Sequence, residues 1–155
     1  TDVDTYVRET IAKVLGTLGD PQAVPHLIQA LSDNDLGVRQ AAAEALGNLG
    51  DRQAVPQLIQ ALGDDEWEVR QAAARALDKI GDPRALEPLV KTEKNDADRD
   101  VRTAAAAAVR SLVITHRVFI TDPHAVFALP TSDQHALEHI AQQHLHKQLQ
   151  RELCK

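Results

Sequence analysis

Two sets of side chains in this 155-residue chain have types and spacings that could do chemistry: histidines near the C-terminus and an arginine row along the rest. His135 and His139 are four residues apart, so a helix would put both on one side, with His146 near that face. Such a pair can hold Zn²⁺ or Ni²⁺ when further ligands complete a tetrahedral or octahedral set. Glu138 lies between them in sequence and points elsewhere, and neither HExxH nor a paired His-Glu motif occurs. These histidines therefore read as solvated side chains on a helix face, and no metal site is expected. Arg8, Arg39, Arg70 and Arg102 recur at intervals of 31, 31 and 32 residues. A guanidinium row can grip phosphates or carboxylates. Each of these arginines has acids within a few residues, and the formal net charge is −6. The row is expected to be structural, each arginine pairing with an aspartate of its own inter-helix turn, such as Asp33 or Asp64. No other set suggests catalysis. The glycines fall at helix ends or turns rather than in a phosphate loop, and Cys154 is one residue from the terminus, where a nucleophile is hard to hold. The chain is expected not to be an enzyme and to need no cofactor.

Composition narrows the class further. The negative charge argues against a general nucleic-acid or anionic-membrane surface, because both need clustered cations. A single cysteine excludes an intrachain disulfide and fits a reducing compartment, so a cytoplasmic location is expected. No apolar run is long enough to span a bilayer, and the N-terminus lacks a signal-peptide pattern. There is no methionine, so the start is expected to be either processed or that of a fragment.

These residues are carried on a repeat. DPQAVPHLIQALSDNDLGVRQAAAEALGNLG, residues 20–50, is followed at once by DRQAVPQLIQALGDDEWEVRQAAARALDKIG, and 20 of the 31 aligned positions are identical. Residues 5–19 match the second half of an earlier copy, and DPRALEPLV from Asp82 restarts the pattern. One extra residue shifts Val101-Arg102, and the loop between two helices is the expected place for it. Val24, Leu27, Ile28 and Leu31 have the spacing of one apolar helical face, opened by Asp20 and Pro21. A second helix carries Val38, Ala42, Ala45, Leu46 and Leu49 on its core face and stops at Gly50. Helix pairs of short period predict an all-α fold, an α-α superhelix of about three to four helical hairpins, each burying its apolar face on its neighbours. The solenoid is expected over residues 1–112, starting in mid-repeat, with 113–155 an atypical C-terminal cap packed on the same domain. That segment holds six of the seven histidines, and its charges balance at four of each sign. VITHRVFI, from Val113, lacks the glycine stop and reads as helix or irregular chain rather than strand. Further on, Leu137, Ile140, Ala141, Leu145, Leu149 and Leu153 form an apolar stripe. That stripe either closes the core or pairs with its copy in a second chain, giving a homodimer.

GDPQAVPHLIQALSDNDLGVRQAAAEALGNLG, residues 19–50, resembles the short HEAT-like repeat of the phycobilisome-lyase type, and the resemblance extends over residues 5–112. It implies an α-solenoid. Members include scaffold and regulatory modules without catalysis, and also bilin-attachment proteins. The resemblance therefore implies a second function, a subunit or fragment of a bilin lyase-isomerase that brings a tetrapyrrole to a cysteine of a phycobiliprotein. No residue set dedicated to a tetrapyrrole is visible. The His-Glu pairs of HEAT-repeat iron hydroxylases are absent.

The surface a partner would meet follows from helical spacing. Gly37, Gln40, Glu44 and Asn48 lie opposite the core positions of their helix; Tyr6, Glu9, Lys13 and Thr17 are equivalent before, Glu68, Gln71, Arg75 and Lys79 after, and Asp100, Thr103, Ala107 and Ser111 last. Neighbouring helices pack about 8–10 Å apart, so these rows should join into one concave face. Outside the loops, the two clean copies differ largely there, at Gly37/Glu68, Glu44/Arg75, Asn48/Lys79 and the adjacent Leu36/Trp67. A varied face on a shared scaffold looks like this, and so does drift at unconstrained positions. The expected partner is a protein, neither nucleic acid nor membrane, held by Tyr6, Glu9, Lys13, Leu36, Gln40, Glu44, Trp67, Glu68, Gln71, Arg75, Lys79 and Thr103. Trp67, with Tyr6 and Leu36, is the expected anchor.

Overall fold

Three glycines with left-handed backbone set the rhythm of the chain. The computed structural model describes residues 3–120, with side chains over 4–115. Gly19, Gly50 and Gly81 have φ of 71°, 69° and 67°, and Gly50 and Gly81 close their helices through hydrogen bonds to Leu46 and Leu77 carbonyls. A Cβ is disfavoured at such φ, so glycine is the residue that stops each helix cleanly. The helices are α1 (Val3–Leu18), α2 (Val24–Ala30), α3 (Leu36–Leu49), α4 (Val55–Ala61), α5 (Trp67–Ile80), α6 (Leu86–Asn95) and α7 (Arg99–Ile120). Val113 stands where the next glycine would fall, and α7 runs on to Ile120, which makes the first part of the irregular segment helical. No strand occurs among the described residues.

Short helices α2, α4 and α6 are each preceded by a 3₁₀ turn, opened by Asp20, Asp51 and Asp82, whose carboxylates accept from the N–H two residues on at 2.8–2.9 Å. Pro25 and Pro56 occupy the second position of α2 and α4, where a missing N–H costs nothing. The extra residue of the last repeat is taken up by the helix, not by the loop. The α6 helix has ten residues against seven in α2 and α4, and only Asp96–Asp98 separate it from α7. Thr92-Glu93-Lys94 offers no glycine or serine stop of the kind found at Ser32 and Gly63.

The longer helices stack side by side, α3 between α1 and α5, with α2 and α4 packed behind α3 and α5. This buries α3 more fully than one apolar face requires, since Ala41, Ala43 and Gly47 are buried along with Val38, Ala42, Ala45 and Leu46. Small residues permit it. A Cβ on Gly16 would lie 2.6 Å from the Ala45 Cβ, and one on Gly47 would lie 2.7 Å from the Ala76 Cα. Residues Thr1–Leu112 form one compact unit. His124, His135, His139, His144, His146, Cys154, the stripe from Leu137 to Leu153, and with them residues 121–155 of the expected cap, lie outside the described residues.

Candidate interaction surface

The face opposite the short helices is built from matching turns of α1, α3 and α5. Glu9 of α1 reaches over Gly37 of α3, its Oε2 lying 3.1 Å from where a Cβ would stand. Glu9 also pairs with Lys13 one turn on. The hydrogen bond from Lys13 to Glu9 holds the Lys13 ammonium above its ordinary value against the pull of burial, and the charges of Glu9 and then Glu44 add to it. On α3, Gln40 Nε2 donates to Glu44 Oε1 at 3.0 Å; from α5, Lys79 Nζ crosses to Asn48 Oδ1 at 2.7 Å. Equivalent rows on neighbouring helices therefore meet. On α7, Thr103 is exposed and its hydroxyl donates to the Arg99 carbonyl of its own helix.

Arg75 and Glu68 stand out among the polar groups of this face that bond to no neighbour. Arg75 is exposed and has no hydrogen-bond or ion-pair partner among the described residues. Glu68 has a buried Oε2 without a partner, a feature that helical spacing does not announce. Leu36 and Trp67 open α3 and α5 and are each 40 % exposed, while Tyr6 on α1 is 70 % exposed. Thr5, which holds the register of Leu36 and Trp67 on α1, is buried.

The arginine row is taken up by the fold, with one correction to its pairing: the carboxylate comes from the turn of the following repeat. Arg8 Nε bonds Asp33 Oδ2 at 2.8 Å, Arg39 Nε bonds Asp64 Oδ2 at 2.8 Å, and Arg70 Nε bonds Asp96 Oδ2 at 2.8 Å, each with a second bond from Nη2 to Oδ1. The arginine's own turn supplies backbone instead. Arg39 Nη1 donates to the Asp33 and Asn34 carbonyls, Arg70 Nη1 to those of Asp64 and Asp65, and Arg102 Nη1 to those of Asp96 and Ala97. Each of these aspartates also accepts from the N–H two residues on, at 2.9–3.0 Å. Burial alone would raise the Asp64 and Asp96 carboxyls, yet the arginine fork, the backbone N–H and nearby positive charge hold both below the ordinary 3.8. Asp33 is lowered first by its bond to Arg8.

Among the described residues no group of three or more His, Cys, Asp or Glu side chains is placed to hold a metal ion, and no helix is long and apolar enough to cross a membrane.

Stacked helical hairpins tied turn to turn by an arginine–aspartate ladder define a HEAT-like solenoid scaffold. The chain belongs to the HEAT-repeat family, whose profile matches residues 1–56 and 38–110. Its fold is similar to that in the complex of CpcE and CpcF of phycocyanin lyase from Nostoc sp. PCC7120, with a TM-score of 0.64 and 27 % identity over 88 % of this chain and 59 % of that one. It is also similar to human deoxyhypusine hydroxylase, solved with glycerol, with a TM-score of 0.58 and 28 % identity over 74 % of this chain and 48 % of that one. The chain spans less than two thirds of either solved chain. No curated protein sequence matches it significantly.

Proposed function

We propose that the chain is a non-enzymatic protein-binding scaffold whose partner seats on the face shared by α1, α3, α5 and α7, with residues 113–155 closing the solenoid. The observation that carries this reading is local. Where α5 departs from α3, it presents a half-exposed Trp67 and an Arg75 without a partner, whereas Lys13, Gln40, Glu44 and Lys79 bond to residues of the same face. Tryptophan and arginine are the side chains most often found to dominate binding energy. Stacked repeats supply the rest, a preformed surface that limits the ordering cost of association. The test is affinity for a captured protein partner with Trp67→Ala and Arg75→Ala. Each truncation is expected to weaken binding ~30-fold, the equivalent of about 2 kcal/mol. Unchanged affinity with an intact helical spectrum would remove the assignment of this face.

Similarity to the phycocyanin lyase complex supports a second reading, a subunit or fragment of a bilin lyase-isomerase. Incubation with a bilin, alone and with candidate partner subunits, distinguishes the two. An absorbance shift favours the lyase reading, and no shift in either condition counts against it.

A further inference from the structure

Positive charge is left over at one end of α5. Arg75 and Lys79 are both exposed and lie four residues apart, so the two cations share one side of the helix, which like charges disfavour. The equivalent pairs do not repeat this: they are Lys13 and Thr17 on α1, Glu44 and Asn48 on α3, and Ala107 and Ser111 on α7. Among the described residues nothing neutralises it. Lys13 has its acid in Glu9, but Lys79 donates to the neutral Asn48 amide oxygen. Glu44, which holds the register of Arg75 on α3, accepts from Gln40 instead. Ala107 and Ser111 bring no carboxylate from α7, and Asp78, between the two cations in sequence, forms an ion pair with neither.

The other end of α5 has the opposite character. Trp67 opens the helix with its ring half-exposed, and the charges beside it are acids, Glu66 at the cap, Glu68 in the first turn and Asp100 at the same register of α7. Eight residues separate Trp67 from Arg75, a rise of about 12 Å. A segment that meets both must carry an apolar side chain and a carboxylate that far apart, which is about two turns of helix or four residues of extended chain. The planar guanidinium fork of Arg75 suits a carboxylate in two-point contact. Its direction follows from the charges, since an acid placed at the Trp67 end would face Glu66, Glu68 and Asp100. The chain as a whole carries −6, so the attraction comes from this pair of cations and not from the overall field.

We propose that the segment of the protein partner bound here is acidic, seating an apolar side chain against Trp67 and an Asp or Glu carboxylate on Arg75 and Lys79. This rests on the assignment of the face to a protein partner and adds the chemistry and direction of what binds there. A phage-displayed library of random 12-residue peptides, panned in parallel on the full chain and on Arg75→Glu/Lys79→Glu, tests it. Selected peptides are then synthesised and their affinities measured by fluorescence anisotropy. Those selected on wild type are expected to combine Asp or Glu with an aliphatic or aromatic residue and to weaken as salt rises. They are expected to bind Arg75→Glu/Lys79→Glu about 30-fold more weakly and Arg75→Gln/Lys79→Gln about 10-fold more weakly, both variants keeping the wild-type far-UV circular dichroism. The charge-reversed chain is expected to select Lys or Arg in place of the acids. Trp67→Ala separates the two claims. Peptides that lose affinity for Trp67→Ala but carry no acid, or that bind the charge-reversed chain as tightly as wild type, overturn the acidic segment and leave the face in place. Peptides indifferent to all of these substitutions seat elsewhere and overturn both. Failure to enrich any peptide on wild type also overturns the proposal.

Discussion

Removing one rung from the arginine–aspartate ladder should cost far more in the middle of the stack than at its end. Arg39 makes four hydrogen bonds, two to the Asp64 carboxylate at 2.8 and 3.0 Å and two to the carbonyls of Asp33 and Asn34 at 2.9 and 3.2 Å. The side chains of Arg39 and Asp64 are only 15 % and 13 % exposed. Arg39→Met keeps the aliphatic stem but leaves Asp64 charged, mostly buried, and bonded only to the Glu66 N–H. Breaking a fully buried pair costs about 3–5 kcal/mol, and a surface pair is worth about 0–1 kcal/mol. At this exposure a loss of about 2–4 kcal/mol is expected. Replacing Asp64 as well, in Arg39→Met/Asp64→Asn, removes the stranded charge, so the double variant should be more stable than the single losses add up to. Arg8→Met should be milder, because Arg8 is 44 % exposed. Urea denaturation followed by far-UV circular dichroism measures wild type, Asp64→Asn and these three variants. The reasoning fails if Arg39→Met lies within about 0.5 kcal/mol of wild type, or if Arg8→Met costs as much.

Three further outcomes follow from the same contacts. Gly47→Ala should destabilise by about 1–2 kcal/mol in the same urea assay despite alanine's better helix propensity, because the added Cβ meets Ala76 backbone at 2.7 Å; Gly37→Ala, whose nearest neighbours are side-chain carboxylate atoms at 3.1–3.4 Å, should be near neutral. Glu66→Asp should raise stability by about 0.5–1 kcal/mol. The Glu66 backbone already matches that of Asp35, but its side chain makes no cap bond, whereas Asp35 Oδ1 accepts from the Gly37 and Val38 N–H groups. Acid should unfold the ladder in a defined direction. Asp33, Asp64 and Asp96 have folded values below 3.8, so their contribution is complete above that pH and is lost as pH falls through the folded values. Melting temperatures recorded downward from pH 5 should therefore drop below pH 4, and less steeply in Arg39→Met/Asp64→Asn.

What was legible in the sequence were the features that repeat along one helix: the glycine stops, the aspartate caps and the apolar spacing at Val38, Ala42, Ala45 and Leu46. What depends on the distance between helices was not. Ala41 and Ala43 are buried by neighbours on either side, a fact no single apolar face announces. The ladder shows the same limit. Nearness in sequence ties Arg39 to Asp33, but stacking brings Asp64, 25 residues away, to its fork and leaves Asp33 only its carbonyl to offer. The rows of the candidate surface followed from periodicity, yet which members bond to one another did not. Lys79 and Asn48 are one repeat apart and meet only because α3 and α5 lie side by side.

That limit also separates scaffold from function in this chain. The two clean repeats share every residue of the ladder and of the alanine faces, and these contacts keep α3 and α5 at one fixed spacing. With the spacing fixed, a change on the outer row cannot be absorbed by moving the helix; it changes the surface instead. Exchanging Glu44 for Arg75 reverses a charge at a position the scaffold holds constant, and Leu36 for Trp67 enlarges an exposed apolar side chain at a helix start. On α1 the departure is of the opposite kind. Ile11 and Val14 replace alanines that the stack itself requires, so that helix face is altered at its packing positions and not on the outer row. A varied outer row alters what the solenoid presents, whereas a varied packing row alters what it can be stacked against.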